Sequence, residues 1–308
     1  MTAALPPVDN HQPPSPATTV DALLALGVAA CPLCHATLRT VEVTAVACTA
    51  CATRFAVRGS VLDLRPPQRE SVQDDEGFWE DHWSDDRQET LVQRFFSWYR
   101  KAVFARTVAY FVQRYFPARA VLVEAGSGTA ETSMRIDTAQ DGRQLVALDL
   151  IPAVLTRVHP IMHHRLAGDI FRLPLADDSV DGIWNVGVME HFTHPQIDAI
   201  LAEFRRVLRP GGRIILLWPG SDSIPQKMLE AVAFVVNTLK GTRAQQEQFR
   251  FHPPEISRLR SRRHGREVMS RNGFDTVTVD PGIYSLMAFK TVVAEKPRAG
   301  SATSRSLP

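Results

Sequence analysis

Gly126 and Gly128 stand one residue apart after the apolar run Val121, Leu122 and Val123, and Glu124 closes that run. Glycines at this spacing let a backbone turn tightly out of a strand and approach a ligand that a Cβ would keep away. The acid selects among ligands. A dinucleotide's pyrophosphate would meet a repelling carboxylate at Glu124. A nucleoside that carries a cationic sulfonium and ammonium and no phosphate would be attracted, and S-adenosylmethionine has that chemistry. A Gly-x-Gly turn alone is also what any strand-to-helix turn can contain.

Two more acids follow at strand ends. Gln144 to Asp149 is the next strand candidate, and Asp149 lies 21 residues beyond Gly128, the distance at which an acid can hold ribose hydroxyls. A shorter segment, His164 to Ala167, runs into Gly168 and Asp169, a carboxylate placed to accept from an adenine amino group. One such Asp is an ordinary turn former. Three successive strand ends closed by acids are harder to explain as capping. The adjoining Ala125, Thr129, Leu150 and Ile170 complete the expected binding surface, together with Asn185 and Val186 on the fourth strand.

With these residues the chain resembles the class I S-adenosylmethionine-dependent methyltransferases of the methyltransferase-domain type, over about residues 120–297. Asp181 to Phe192 resembles the family's fourth-strand motif and Leu208 to Leu217 its turn into the fifth strand. The resemblance implies an α/β fold, a Rossmann-like seven-stranded sheet, with S-adenosyl-L-methionine at the strands' carboxyl ends. Ala130 stands where many relatives have glycine, a position at which alanine is expected to be tolerated.

The chemistry implied is in-line displacement at the sulfonium methyl, in which most of the work is alignment of two reactants. A proton-bearing acceptor would also need a base. His191 and Glu190, directly after the fourth strand, are the candidates, and His191 could equally orient a loop or touch the cofactor. The Asp/Asn-Pro-Pro-Tyr/Phe motif of exocyclic base-amine methylation is missing, with Asn185 to Val188 in its place. The expected acceptor is therefore a small molecule, glycan precursor or lipid, methylated on oxygen, nitrogen or sulfur. RNA is the rival within enzymes, since bacterial rRNA guanine methyltransferases join an N-terminal zinc ribbon to this catalytic fold. A module that only holds a cofactor or partner is the rival outside them.

All four cysteines form two Cys-x-x-Cys pairs, Cys31 with Cys34 and Cys48 with Cys51, 13 residues apart. That spacing suits a tetrahedral zinc ribbon, with a disulfide or redox pair as the other reading. Four thiolates fill the shell, so His35 is expected at the surface. Arg54 to Pro66 resembles the small zinc-ribbon proteins that partner tRNA and protein methyltransferases. So short a module should draw much of its folding energy from a structural Zn2+ and unfold first on chelation.

The remaining elements must carry these groups. Strands are expected near 120–124, 144–149, 181–187 and 212–218, with helices near 130–137, 152–159 and 195–208 and a closing hairpin of 276–279 with 286–294. Residues 89–116 read as a helix with an aromatic stripe. The segment at 78–83 resembles the family's cofactor cover, which makes Trp79, His82 and Trp83 pocket candidates. An apolar helix at 224–240 could roof the acceptor or fill core. Arg258, Arg262 and Arg266 share a helical face, a solvated surface or an anion site. The expected organisation is a tail at 1–19, the ribbon at 20–66, a helical cover at 67–119, the methyltransferase domain at 120–297 and a tail at 298–308. With 308 residues, 44% hydrophobic and 22% charged, the chain has an ordinary globular composition, and its net charge of +2 argues neither for nor against a nucleic-acid partner. No apolar run is long enough to span a bilayer and no signal peptide opens the chain, so a cytoplasmic location is expected. No protein partner is called for.

Overall fold

The computed structural model describes residues 16–66, 98–139, 141–223, 227, 228, 231, 234, 238 and 255–298. The tails, most of the 67–119 segment with Trp79, His82 and Trp83, and most of 224–254 lie outside the described residues. In chain order the elements are α1 (Pro16–Ala25), β1 (Leu38–Glu42), β2 (Ala45–Cys48), β3 (Arg54–Arg58), β4 (Val61–Asp63) and α2 (Ala105–Tyr115), the last entered through a π-helical turn, Arg100–Phe104. There follow β5 (Val121–Ala125), β6 (Gln144–Asp149), α3 (Pro152–Leu155), β7 (His164–Ala167), β8 (Val180–Val186) and α4 (His194–Val207). The chain closes with β9 (Leu208–Pro219), α5 (Arg262–Arg271), β10 (Asp275–Asp280) and β11 (Phe289–Glu295).

All eleven strands belong to one sheet, in the order β1-β2-β3-β4-β7-β6-β5-β8-β9-β11-β10. From β7 to β9 every pairing is parallel, and β11 runs antiparallel to β9 and β10. These seven strands, β5 to β11, are the Rossmann-like sheet implied by the resemblance. The strand count is larger because the cysteine-rich hairpins continue the same sheet, with β4 pairing parallel to β7 through Leu62 and Leu166.

Strands buried on both faces read as continuous apolar runs, and β5 is buried at every position. One face carries α4 and α5 through Ile197, Ile200, Phe204, Val268 and Met269, in a cluster that continues into Val46, Phe55, Leu62 and Leu64 of the hairpins. The other carries α2 and α3 through Val108, Phe111, Val112, Val154 and Leu155. α2 buries positions 105, 108, 109 and 112, the helical period that turns one stripe toward a sheet. Thr193 opens α4, its N–H donating to Gln196 Oε1 at 2.8 Å, the return half of a capping box.

Two expected helices shrink. The segment after Ala130 makes only a 3-10 turn, Glu131–Ser133, and α3 stops at Leu155 rather than 159. Arg258 lies before α5, whose N-cap is Ser261, and it pairs with Glu255. It therefore shares no helical face with Arg262 and Arg266. Of the 224–240 stretch, the described residues are helical at 227, 228, 231, 234 and 238. Met228 and Phe234 there are 65% and 72% exposed, which is not the burial a core-filling helix would give them.

Candidate functional site

Parallel strands ending side by side bring β5, β6, β7 and β8 to one rim, where the turns after them meet. Ala125 closes β5 fully buried. Gly126 and Gly128 follow with φ of +73° and +52°, the left-handed region that side chains disfavour. A Cβ on Gly126 would stand 2.7 Å from Val188 Cγ2, so the turn after β8 lies against the glycine turn. Ala130 is the departure that matters. Its φ is +54° and it is fully buried, a conformation in which an L residue loses about 1–2 kcal/mol. The position is one of backbone conformation rather than helix packing, so alanine is accommodated there at a cost that glycine would avoid.

Asp149 holds this turn. Its Oδ2 accepts from Gly128 N at 2.8 Å and its Oδ1 from Ile151 N at 3.0 Å. Leu148 O accepts from Gly126 N and Ser127 N at 2.8 and 3.0 Å. A carboxylate has about four acceptor sites, and with the Leu150 N–H also turned toward it, Asp149 still has acceptor capacity for a ligand. Burial pushes its carboxyl up, against the pull of the Ile151 and Gly128 N–H groups. Thr129, half-buried, closes the turn through its carbonyl, which accepts from His159 N at 2.9 Å. That bond draws the chain away from α3 four residues after its end.

Glu124 faces inward below the turn. It is 1% exposed, its Oε2 accepting from Ser133 Oγ at 2.8 Å and its Oε1 from Thr132 Oγ1 at 3.3 Å. Trp184 Nε1 donates to the same Ser133 Oγ at 3.2 Å. Burial pushes the Glu124 carboxyl up to about 8, opposed by the Ser133 and Thr132 hydroxyls, Trp184 and the Arg100 charge. Ser133, Thr132, Trp184 and Arg100 were missed in the sequence. Their signal was faint, polar groups inside segments that otherwise read as apolar.

At the end of β7, Asp169 is 7% exposed and its Oδ1 accepts from Phe171 N at 2.9 Å. Leu150 and Ile170, after the β6 and β7 ends, are half-buried against opposite faces of the sheet. On β8, Val186 is half-buried, while Asn185 is fully buried with neither Oδ1 nor Nδ2 hydrogen-bonded. A buried amide without partners costs several kcal/mol, so bound solvent or a ligand must supply them. Next come Glu190, buried with Oε2 unpartnered, and His191, half-buried on the turn Met189–His191. The rim thus brings Glu124, Asp149, Asp169, Asn185 and Glu190 onto adjoining strand ends.

The second cluster lies in the hairpins. The four cysteine sulfurs fall within 4.8 Å of one another, with Cys31 and Cys51 at 3.7 Å and Cys34 and Cys48 at 3.4 Å. A disulfide would need about 2.05 Å. Zinc–sulfur bonds of about 2.3 Å give tetrahedral edges near 3.8 Å, so the sulfurs fit a tetrahedral ion. Ala50 N and Cys51 N both donate to Cys48 Sγ at 3.4 Å, which would stabilise a thiolate. His35 turns away, its Nδ1 at 3.5 Å from Asp177.

The chain is similar to several known methyltransferases. The methyltransferase domain family matches residues 123–216. A malonyl-[acyl-carrier protein] O-methyltransferase of Laribacter hongkongensis is 32% identical over 126 residues, 37% of this chain and 41% of the relative. Its namesake from Dechloromonas aromatica is 39% identical over 95 residues, 31% and 35% of the two chains. The matches thus span less than half of these relatives. Among solved structures, magnesium protoporphyrin IX methyltransferase from Synechocystis PCC 6803 with bound SAH aligns at a TM-score of 0.48 and 16% identity, over 71% of this chain and 94% of that one.

Proposed function

We propose that this chain, whose residues 123–216 match the methyltransferase domain family, binds S-adenosyl-L-methionine at the β5 to β8 rim and methylates a small or lipid-like acceptor. One observation carries the reading: Asp149 fastens the glycine turn through both of its oxygens and keeps acceptor capacity at the rim for a diol. The names of the O-methyltransferase relatives support an oxygen acceptor.

In this reading Gly126 and Gly128, flanked by Ala125 and Thr129, admit the ligand close to the backbone. Asp149 takes the ribose hydroxyls, and Asp169 accepts from the adenine amine between Leu150 and Ile170. Asn185 and Val186 line the β8 side, where the orphaned amide gains partners. Glu124 acts from beneath as a buried, proton-holding carboxyl that braces the turn through Ser133 and Thr132, rather than as the charge expected to attract a cation. The cofactor supplies an electrophilic methyl group. His191 and Glu190 flank the acceptor side, where one of them takes a proton. Cys31, Cys34, Cys48 and Cys51 hold a structural Zn2+, and the sulfur tetrahedron fits it. The exposed Met228 and Phe234, placed after β9 reaches the same rim, suit an apolar acceptor.

The test is transfer of labelled methyl from S-adenosylmethionine into extract separated into lipid, small-molecule, protein and RNA fractions, with Asp149→Ala as control. Label in the lipid or small-molecule fraction supports the reading. Label in RNA would replace the acceptor class and give Arg262 and Arg266, exposed on α5, a docking role. Failure of the protein to bind S-adenosylmethionine would leave only a partner-binding module.

A further inference from the structure

The rim carries apolar side chains that the site described above does not use. β11 begins at Phe289, paired with Pro219 at the end of β9, so the loop before it, residues 281–288, stands at the rim where the parallel strands end. Ile283 and Leu286 in that loop are 65% and 62% exposed, and Tyr284 and Met287 are exposed beside them. Leu286 and Met287 both have left-handed backbone, with φ of +48° and +66°, a region that residues with a side chain disfavour. Met287 N donates to Gly282 O at 2.7 Å and Ser285 Oγ to Phe289 O at 2.7 Å, and these bonds hold the conformation. Backbone strain of this kind persists only where the surroundings fix it, and here it keeps apolar side chains out in water.

The loop is joined to a basic surface. Tyr99 Oη donates to Ser285 O at 2.8 Å and Thr107 Oγ1 to Tyr284 O at 2.7 Å, which fastens the loop to the π-helical turn and to α2. Tyr284 stacks on Tyr110 with ring centroids 4.2 Å apart. Trp98, just before the same turn, is 59% exposed. Residues 98–116 include Arg100, Lys101, Arg106 and Arg114 and no Asp or Glu, and residues 281–289 carry no charge. Arg106, Tyr110 and Arg114 are exposed, and their spacing of four sets them together on the outer face of α2. Two acids border this surface. Glu131 pairs with Lys101 at 3.0 Å, and Asp280 Oδ2 accepts from Gly282 N at 2.8 Å.

Apolar tips beside aromatic rings and exposed cations match an anionic lipid surface. The tips enter the acyl boundary, while tyrosine, tryptophan and the cations meet the head groups. RNA would engage the cations and rings and leave the aliphatic side chains in water. A second copy packed here about a two-fold axis would set like charges against each other. We infer that the loop 281–288 and the outer face of α2 dock this chain on an anionic lipid surface, with the rim turned toward it. The further step, that the methyl acceptor enters the rim from that surface, rests on the methyltransferase reading above.

Co-sedimentation of the full-length protein with lipid vesicles tests the docking without knowledge of the acceptor. The probes are vesicles of mixed phosphatidylcholine and phosphatidylglycerol, with phosphatidylcholine alone for comparison. The expected result is binding to the anionic vesicles. Leu286→Asn combined with Met287→Asn should weaken it by about 10-fold or more, the scale of two apolar side chains lost from the lipid. Asparagine tolerates the left-handed region, so this double variant should melt no lower than the wild type. Arg106→Gln combined with Arg114→Gln should weaken binding to the anionic vesicles by about 10-fold and leave binding to phosphatidylcholine unchanged. Absence of binding to anionic vesicles, or binding that the asparagine pair leaves intact, overturns the inference. A concentration-dependent dimer that the asparagine pair dissolves also overturns it, by making a second copy the occupant. Docking together with methyl label confined to the small-molecule fraction overturns the acceptor's route alone. Failure to bind S-adenosylmethionine overturns the methyltransferase reading and leaves the docking standing.

Discussion

Glu124, one residue before the end of β5, and Asp149, the last residue of β6, do different work. A carboxyl whose pKa rises from 4.5 to about 8 on folding holds its proton more tightly in the folded chain. Stability is therefore full below about 4.5, declines as pH rises and reaches its floor above about 8. At pH 7 the loss attributable to Glu124 is about 3 kcal/mol. Glu124→Gln, which keeps an acceptor for Ser133, should raise the melting temperature at pH 8 and not at pH 4, and an equal shift at both would refute the assignment. Asp149 supports the turn and, in the proposed reading, the ligand as well. Asp149→Asn keeps one acceptor oxygen and should weaken S-adenosylmethionine by about 10- to 100-fold in calorimetry, the scale of a lost charged hydrogen bond. Both acids were legible in the sequence because each ends an apolar run. The inward turn of Glu124 was not, because it depends on Ser133 and Thr132, which reach it only through the left-handed Ala130.

At the scale of elements, β5, β6 and β8 were readable to within a residue, β9 begins four residues before the expected 212, and the short helices were not readable. Strands β5 and β6 hold continuous apolar runs, Val121 to Val123 and Leu145 to Leu148, with few alternatives. The 3-10 turn after Ala130 and the early end of α3 are imposed by tertiary bonds, Glu124 to Ser133 and Thr129 to His159, which periodicity cannot report. The Arg258 stretch misled for a similar reason. Its charges recur at helical spacing, but Leu259 N donates to Pro219 O at 2.9 Å and holds the segment extended beside β9. Within β8, Gly182 is required by close approach, since a Cβ there would lie 2.4 Å from Phe116 Cε1. Phe116 is itself 4% exposed and packed against Trp184, so the ring has little room to yield. Gly182→Ala should cost about 1–3 kcal/mol in denaturant unfolding, and Phe116→Leu should restore part of it. An unchanged midpoint in Gly182→Ala would show that the ring can move.

For the whole molecule the consequential feature is that the cysteine hairpins and the methyltransferase sheet are continuous. The Cys-x-x-Cys pairs were plain in the sequence, but the pairing of β4 with β7 was not, because it joins residues about a hundred positions apart. The join is made by several bonds. Leu64 N donates to Ala167 O at 2.9 Å, Ala30 N to Pro174 O at 3.0 Å and Ala176 N to Val28 O at 2.9 Å. Arg165 reaches Ser60 Oγ at 2.9 Å, and one apolar cluster runs from Val46 and Phe55 to Val123 and Leu148. Asp169, the proposed adenine acceptor, follows Ala167 by two residues, so β7 connects the cysteine site to the rim. Loss of the Zn2+ proposed for the four cysteines should act in two stages. Hydrogen exchange after chelation should quicken first at residues 38–58, while β5 and β6 in the centre of the sheet stay protected. S-adenosylmethionine affinity should fall several-fold as β7 loses its outer neighbour, and Cys31→Ser should reproduce both effects. If exchange quickens at 38–58 and affinity does not move, the hairpins are an independent attachment and the continuity of the sheet has no functional weight. If β5 and β6 lose protection together with the hairpins, the molecule unfolds as one cooperative unit, and the metal supports the catalytic sheet itself.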